Sequence, residues 1–222
     1  MTSEQRATAA YLAPFAAYVG LMAVDHALGL PPQVDFLLRF TVAALLILTV
    51  SRPYFSLRPS RPLASIGIGI AVFLVWIGPD VLFGYRHFWL FENSLFGKAE
   101  ATIAPALRTN VPFLALRAAS SFLLVPILEE LFWRGWMMRW LIKPAFLEIK
   151  FGTYQASAFW IVAVLFASEH GPYWEVGLAA GILYNWWAIR TKCIADCILA
   201  HAVTNAILSG YVLFTGQWQY WL

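Results

Sequence analysis

Charge is what this sequence has least of. Only 12% of its 222 residues are Asp, Glu, Lys or Arg, against 61% apolar, where a water-soluble domain carries about 25% charged and 45–50% apolar residues. That scarcity excludes an ordinary soluble domain and leaves lipid as the solvent for much of the chain. The basic excess is small as well. Fifteen Lys and Arg against twelve Asp and Glu give +3, too weak and dispersed a balance for nucleic-acid binding. Cysteine is nearly absent: Cys193 and Cys197, four apart in an apolar run, form no disulfide framework and read first as small hydrophobes. The chain also has no internal repeat, no low-complexity tract, no G-x-S-x-G elbow and no H-E-x-x-H zinc helix.

Long apolar runs are what it has instead. At roughly 20 apolar residues per crossing, this length allows seven or eight spans and no sizeable soluble domain beside them. Runs at 8–28, 33–51, 62–83, 112–140, 154–169, 174–190 and 192–214 predict an all-α polytopic bundle enclosing a polar cavity. It is expected to be one membrane domain over 1–222, with N-terminal helices and connector in 1–110 and the chemistry in 111–214. The first run follows Arg6 but contains Pro14 and leads straight into further spans, so it reads as a retained helix rather than a signal peptide. Pro31-Pro32 and the stretch from Arg52-Pro53 to Arg61-Pro62 separate the early helices. The connector 84–110 mixes Tyr85, Phe88, Trp89 and Phe91 with Glu92, Lys98 and Glu100, an interfacial composition with room for an eighth short helix.

Orientation follows from the basic residues of the connections. A cytoplasmic N-terminus puts Arg6, Arg52, Arg58, Arg61, Arg139, Lys143, Lys150, Arg190 and Lys192 inside and only Arg86, Lys98 and Arg108 clearly outside. Gly177 and Gly181 form a GxxxG pattern, read as a helix-packing surface.

Ionisable residues inside spans are costly and point to function by default. They gather in the C-terminal half: Glu129 and Glu130 with Arg134, Glu169-His170, and His201 with Asn205. Glu130 and Arg134 are one turn apart in the favourable order, acid before base, while Glu129 points about 100° away. Arg134 is thus expected to neutralise Glu130 and leave Glu129 free to face a cavity. The alternative is an ion-pair network that only fixes helix register, and it leaves one acid in surplus. Pro126 cannot donate to the carbonyl of Phe122 and should kink this helix one turn before the acids. Phe166 and His170, and His201 and Asn205, also share helix faces. Glu169 and Glu175 read as solvated helix ends, Asp196 as a packing or interface charge, and Arg39 as a snorkelling side chain.

Glu129-Glu130-x-x-x-Arg134, Phe166-x-x-x-His170 and His201-x-x-x-Asn205, in this order on separate apolar helices, resemble the EExxxR, FxxxH and HxxxN motifs of the CPBP family of CAAX proteases and bacteriocin-processing proteins, also called Abi. The resemblance covers roughly 112–214, and any one motif alone would be weak. It implies an intramembrane glutamic endopeptidase with about eight helices. In it Glu129 and His170 would activate water, His201 and Asn205 would bind the oxyanion, and Glu130, Arg134 and Phe166 would support them. The texture of the first half is similar to the small bacterial exosortase-associated subgroup, which implies a bacterial inner membrane. The implied partner is a membrane-associated protein or peptide: a prenylated CAAX end, a leader peptide and a C-terminal sorting tail all fit.

Residue chemistry agrees, since amide hydrolysis without a nucleophilic side chain needs a base, a group that orients water, and oxyanion donors. Four rivals stand beside it. Cys197, one turn before His201, is a possible nucleophile. Zinc on Glu129, Glu130, His170 and His201 is the metal alternative to a cofactor-free site, though Asn205 is a poor zinc ligand. A non-catalytic scaffold or immunity protein, or a proton-coupled transporter, would also keep buried acids and histidines. One geometric conflict remains. With residue 190 at the inner face, His201 lies about 16 Å deep and His170 about 30 Å along a straight preceding helix. Either the 174–190 segment is tilted or broken, or the His170 helix stops short of the outer surface.

Overall fold

The computed structural model describes residues 2–93 and 95–221, without the side chain of His26. Among these residues seven helices account for the seven apolar runs: α1 (Ser3–Leu28), α2 (Pro32–Tyr54), α3 (Pro62–Phe83), α4 (Val111–Trp140), α5 (Ala156–Ser168), α6 (Trp174–Thr191) and α7 (Ile194–Thr215). Five of them, all but α5 and α6, are long and apolar enough to cross a membrane. The protein is therefore a polytopic helical membrane protein. Its outer surface carries Leu48, Leu63, Leu82, Trp160 and Phe214, each more than half exposed. Such a surface is a liability in water and the ordinary solvent-facing surface in lipid. The connector 84–110 holds two single 3-10 turns, Tyr85–His87 and Pro105–Leu107, and no α-helix among its described residues. The eighth helix allowed by the sequence is not there.

Close approach of α3 to α7 rests on Gly69. A Cβ there would lie 2.7 Å from the Cβ of Val203, and the Gly69 carbonyl accepts the Thr204 hydroxyl at 2.9 Å. Asp196 ties the other end of the same pair. Its carboxylate accepts the backbone N–H groups of Ser60 (3.2 Å) and Arg61 (2.9 Å) and the Ser65 hydroxyl (3.0 Å). It thereby serves the start of α3, which has no side-chain cap of its own. Asp196 is thus the packing charge expected of it. Arg39 does not snorkel. It is buried, paired with Asp35 one turn earlier, and lies over the Phe36 ring at 4.4 Å.

The depth conflict is resolved by the length of α5. Its 13 residues span about 20 Å, less than the roughly 30 Å of a hydrocarbon core, so the helix ends inside the layer. The chain then turns through Gly171, at a left-handed φ of 49°, and Pro172 into α6. Helix α6 runs unbroken from Trp174 to Thr191, which excludes a broken passage, and His170, in the turn before it, lines the same cavity as His201. The connector 84–110 covers the gap above. Arg86, 2% exposed, donates to the Pro172 carbonyl (3.1 Å) and to Glu175 (2.7 Å), and its Nε lies 3.3 Å from Asp80. Burial works against its charge, but Glu175, Tyr85 and Asp80 outweigh it and the Arg86 pKa is raised. Glu175, expected to be solvated, is instead a partner of this buried arginine.

Candidate active site

Helix α4 supplies the acids, and its backbone explains how they are presented. The residues Ser120–Leu124 form a π turn, in which the Val125 N–H bonds to the Ser120 carbonyl five residues back. In that register the missing N–H of Pro126 leaves the Ser121 carbonyl without its helical donor, not that of Phe122 as an α-helical count predicts. The side-chain amide of Asn205 donates to the Ser121 carbonyl at 2.9 Å. One proline thus both wakes the helix from regular geometry and fixes Asn205 from α7 against it. A second π segment, Leu131–Met137, begins directly after Glu130.

Glu130 and Arg134 are buried together, with Arg134 Nη1–H donating to Glu130 Oε1 at 3.0 Å. The guanidinium uses two further donors on α6: Nε–H to Asn185 Oδ1 at 2.9 Å and Nη2–H to the Gly181 carbonyl at 3.4 Å. It also lies 4.5 Å over the Phe166 ring. Asn185 in turn donates to the Phe159 carbonyl of α5 at 2.8 Å. Sequence reading passed over Asn185, although an amide in an apolar helix one turn beyond Gly181 is the same signal that drew attention to Asn205. Tyr184 was also missed. Its ring stacks on His201 at 5.0 Å between centroids, and its hydroxyl donates to Thr204 at 2.8 Å.

His201 Nδ1 lies 3.0 Å from Glu130 Oε1. An ionised carboxylate accepts only, so Nδ1 carries the proton and Nε2 is turned toward Glu129, whose Oε2 is 4.0 Å away. Glu129 itself is 16% exposed along its side chain, and its Oε2 is buried with no hydrogen-bond partner among the described residues. His170 Nδ1 is 2.7 Å from the Phe166 carbonyl. A carbonyl also accepts only, which fixes the proton on Nδ1 and leaves the Nε2 lone pair available. Phe166 is the shared wall, its centroid 4.8 Å from that of His170 and 6.1 Å from that of His201.

Glu129, Phe166, His170, His201 and Asn205 line one cavity of about 120 Å³, closed by Val72, Trp76, Tyr184, Tyr220 and Trp221 among others. Glu129 and His170 also border a larger apolar groove of about 430 Å³ beside α1 and α2, with Phe15, Val19, Met22 and Arg39. The structure therefore brings together the residues of all three motifs. Gly177 and Gly181 let α6 approach: a Cβ at Gly177 would meet the His170 ring at 3.1 Å, and one at Gly181 the Ala163 backbone at 3.2 Å. Glu169 does not join the cavity of about 120 Å³. It is exposed and accepts from Trp133 Nε1 at 3.2 Å. Cys197 is fully buried, with its sulfur 4.0 Å from the Tyr184 carbonyl, and is not among the cavity walls. Among the described residues no three His, Cys, Asp or Glu side chains are arranged to hold a metal ion.

Against known proteins, residues 111–207 match the family model described as type II CAAX prenyl endopeptidase Rce1-like. No curated protein and no solved structure matches the chain. The matched segment holds the acids of α4, the His170 turn and the part of α7 that carries His201 and Asn205. Residues 111–207, a little under half of the chain, are thus similar to the Rce1-like CAAX prenyl endopeptidases.

Proposed function

We propose that the protein is an intramembrane endopeptidase that hydrolyses a peptide bond of a membrane-associated protein or peptide, with Glu129 as general base and without a metal. The observation that carries this reading is the carboxylate oxygen of Glu129, buried without a hydrogen-bond partner among the described residues, on a residue that lines the cavity shared with His170, His201 and Asn205. A buried carboxylate left in that state costs free energy and is retained for chemistry.

In this mechanism His170 Nε2 and Glu129 hold a water between them. Glu129 takes one of its protons as the water oxygen attacks the scissile carbonyl. The oxyanion is met by the second amide hydrogen of Asn205, the first being held by Ser121, and by His201 Nε2. To donate there, Nε2 must carry a proton, so His201 acts as the imidazolium with Glu130 as counter-ion. Arg134 and His201 together are matched by Glu129 and Glu130, which keeps the buried cluster neutral before the reaction. Collapse of the tetrahedral intermediate breaks the C–N bond as Glu129 returns its proton to the leaving amine. The nearby groove at α1 and α2 suits an apolar, membrane-held substrate, and the orientation with the N-terminus cytoplasmic follows the basic-residue bias.

The test is a membrane-tethered peptide reporter in proteoliposomes. Glu129→Gln and His170→Ala should each lower cleavage by at least about a hundredfold while the proteins still insert and purify, and strong chelation should leave wild-type activity unchanged. Normal turnover by either variant overturns the catalytic assignment, and loss on chelation overturns the metal-free one.

A further inference from the structure

Beyond the catalytic residues, the cavity is walled in part by a segment that the mechanism does not use. After α7 the chain reverses at Gly216, φ 71°, and the segment 217–221 folds back over the helix ends as a 3-10 turn, Trp218–Tyr220. Tyr220 and Trp221 are 4% and 3% exposed and form part of the wall of the cavity that holds Glu129 and His170. The way this segment is held is unusual for a helix cap. Side chains from three separate elements donate to its main-chain carbonyls: Tyr173 to Gln219 at 2.7 Å, Arg117 to Trp221 at 2.9 Å, and Thr102 to Trp221 at 3.4 Å. Its aromatic side chains are met by a carboxylate and by cations. Tyr220 bonds to Asp80, Arg117 lies 5.1 Å over Trp221 and Arg108 5.8 Å over Trp218.

Hydrogen bonds to alternate carbonyls of a short segment read the backbone rather than the sequence, which is how peptides are bound when side-chain identity is secondary. We infer that Tyr173, Arg117 and Thr102 form a peptide main-chain binding site at the rim of the catalytic cavity, occupied here by residues 217–221 of the chain itself. This deepens the endopeptidase reading and rests on it: a substrate peptide takes the same carbonyl-binding groups, and the resident segment must leave first. The segment is thereby an internal competitor, and its release opens the cavity from the side of the 84–110 connector. No new covalent step is involved.

Accessibility of the cavity tests this without relying on catalysis. Ser121, a cavity wall residue, is replaced by cysteine (Ser121→Cys) in a background of Cys193→Ser and Cys197→Ala, and its labelling by a polar maleimide is timed in detergent. Tyr220→Ala with Trp221→Ala should speed labelling about tenfold or more, the ratio that corresponds to about 1.4 kcal/mol of lost holding energy. Tyr173→Phe, which keeps every ring in place, should speed it about threefold, as expected for one interhelical hydrogen bond in a membrane protein. A synthetic peptide of residues 216–221 in excess should restore protection to the Tyr220→Ala, Trp221→Ala protein. Equal labelling rates in all variants overturn the proposal. Faster labelling that the peptide does not reverse overturns the binding site and leaves only a structural lid. Reporter cleavage by the wild type and by Glu129→Gln is read separately from labelling, so that failure of the endopeptidase reading and failure of the binding site give different results.

Discussion

Replacing Asn185 by alanine is the sharpest test of how the buried cluster is held. Asn185 makes two bonds between helices, accepting from the Arg134 guanidinium at 2.9 Å and donating to the Phe159 carbonyl at 2.8 Å. The second is a neutral interhelical bond, worth about 0.6 kcal/mol on average in membrane proteins. The first involves a buried charge and is worth about 1.5–3 kcal/mol, because its loss leaves an Arg134 N–H desolvated and without an acceptor. Asn185→Ala should therefore cost about 2–3.5 kcal/mol. Reversible unfolding in mixed micelles measures this directly. A double-mutant cycle with Arg134→Met then separates the two terms, since with the guanidinium gone the cost of Asn185→Ala should fall to roughly the neutral bond alone. A cost within about 0.5 kcal/mol of zero, or one unchanged in the Arg134→Met background, would show that Asn185 does not anchor the arginine and that the cluster is supported otherwise.

Other perturbations probe the remaining links. Arg86→Met removes the partner of Asp80 and Glu175 and should cost about 3 kcal/mol; limited proteolysis should then cut the 84–110 connector faster, and an unchanged digestion rate would separate Arg86 from the covering of the site. Gly177→Ala places a methyl 3.1 Å from the His170 ring, so reporter cleavage should fall at least about tenfold with a melting temperature close to wild type. Gly20→Ala, with nothing within 4 Å of the added carbon, is the matched control, and equal activity of the two variants refutes the positioning role of Gly177.

Much of this architecture is written in residue spacing. Seven apolar runs became seven helices because run length and proline punctuation act locally. The pairing of Glu130 with Arg134 needed only a one-turn spacing. Asp35 and Arg39 stand in the same i,i+4 relation and are legible in the same way, yet the snorkelling reading of Arg39 takes no account of Asp35. What spacing cannot give is register and depth. Whether Pro126 frees the carbonyl of Phe122 or of Ser121 depends on a π turn, and that turn is stabilised by an amide from another helix, Asn205. Likewise the end of α5 at Ser168 is settled by what receives the chain beyond it, namely the Gly171 turn and Arg86 from a connector some 85 positions earlier in the chain. Asn185 and Tyr184 belong to a third kind. Asn185 is visible as an amide in an apolar helix one turn beyond Gly181, but what it and Tyr184 do is shown only by the contact to Arg134 and the stacking on His201.

The central claim is that Glu129 drives hydrolysis of a membrane-associated protein. Its most direct measurement is mass spectrometry of protein termini in membranes from cells that carry either the wild type or Glu129→Gln at equal abundance. The account predicts one or more membrane-associated proteins with a new terminus in the wild type and the uncut form alone in Glu129→Gln. The same set of termini in both would contradict it.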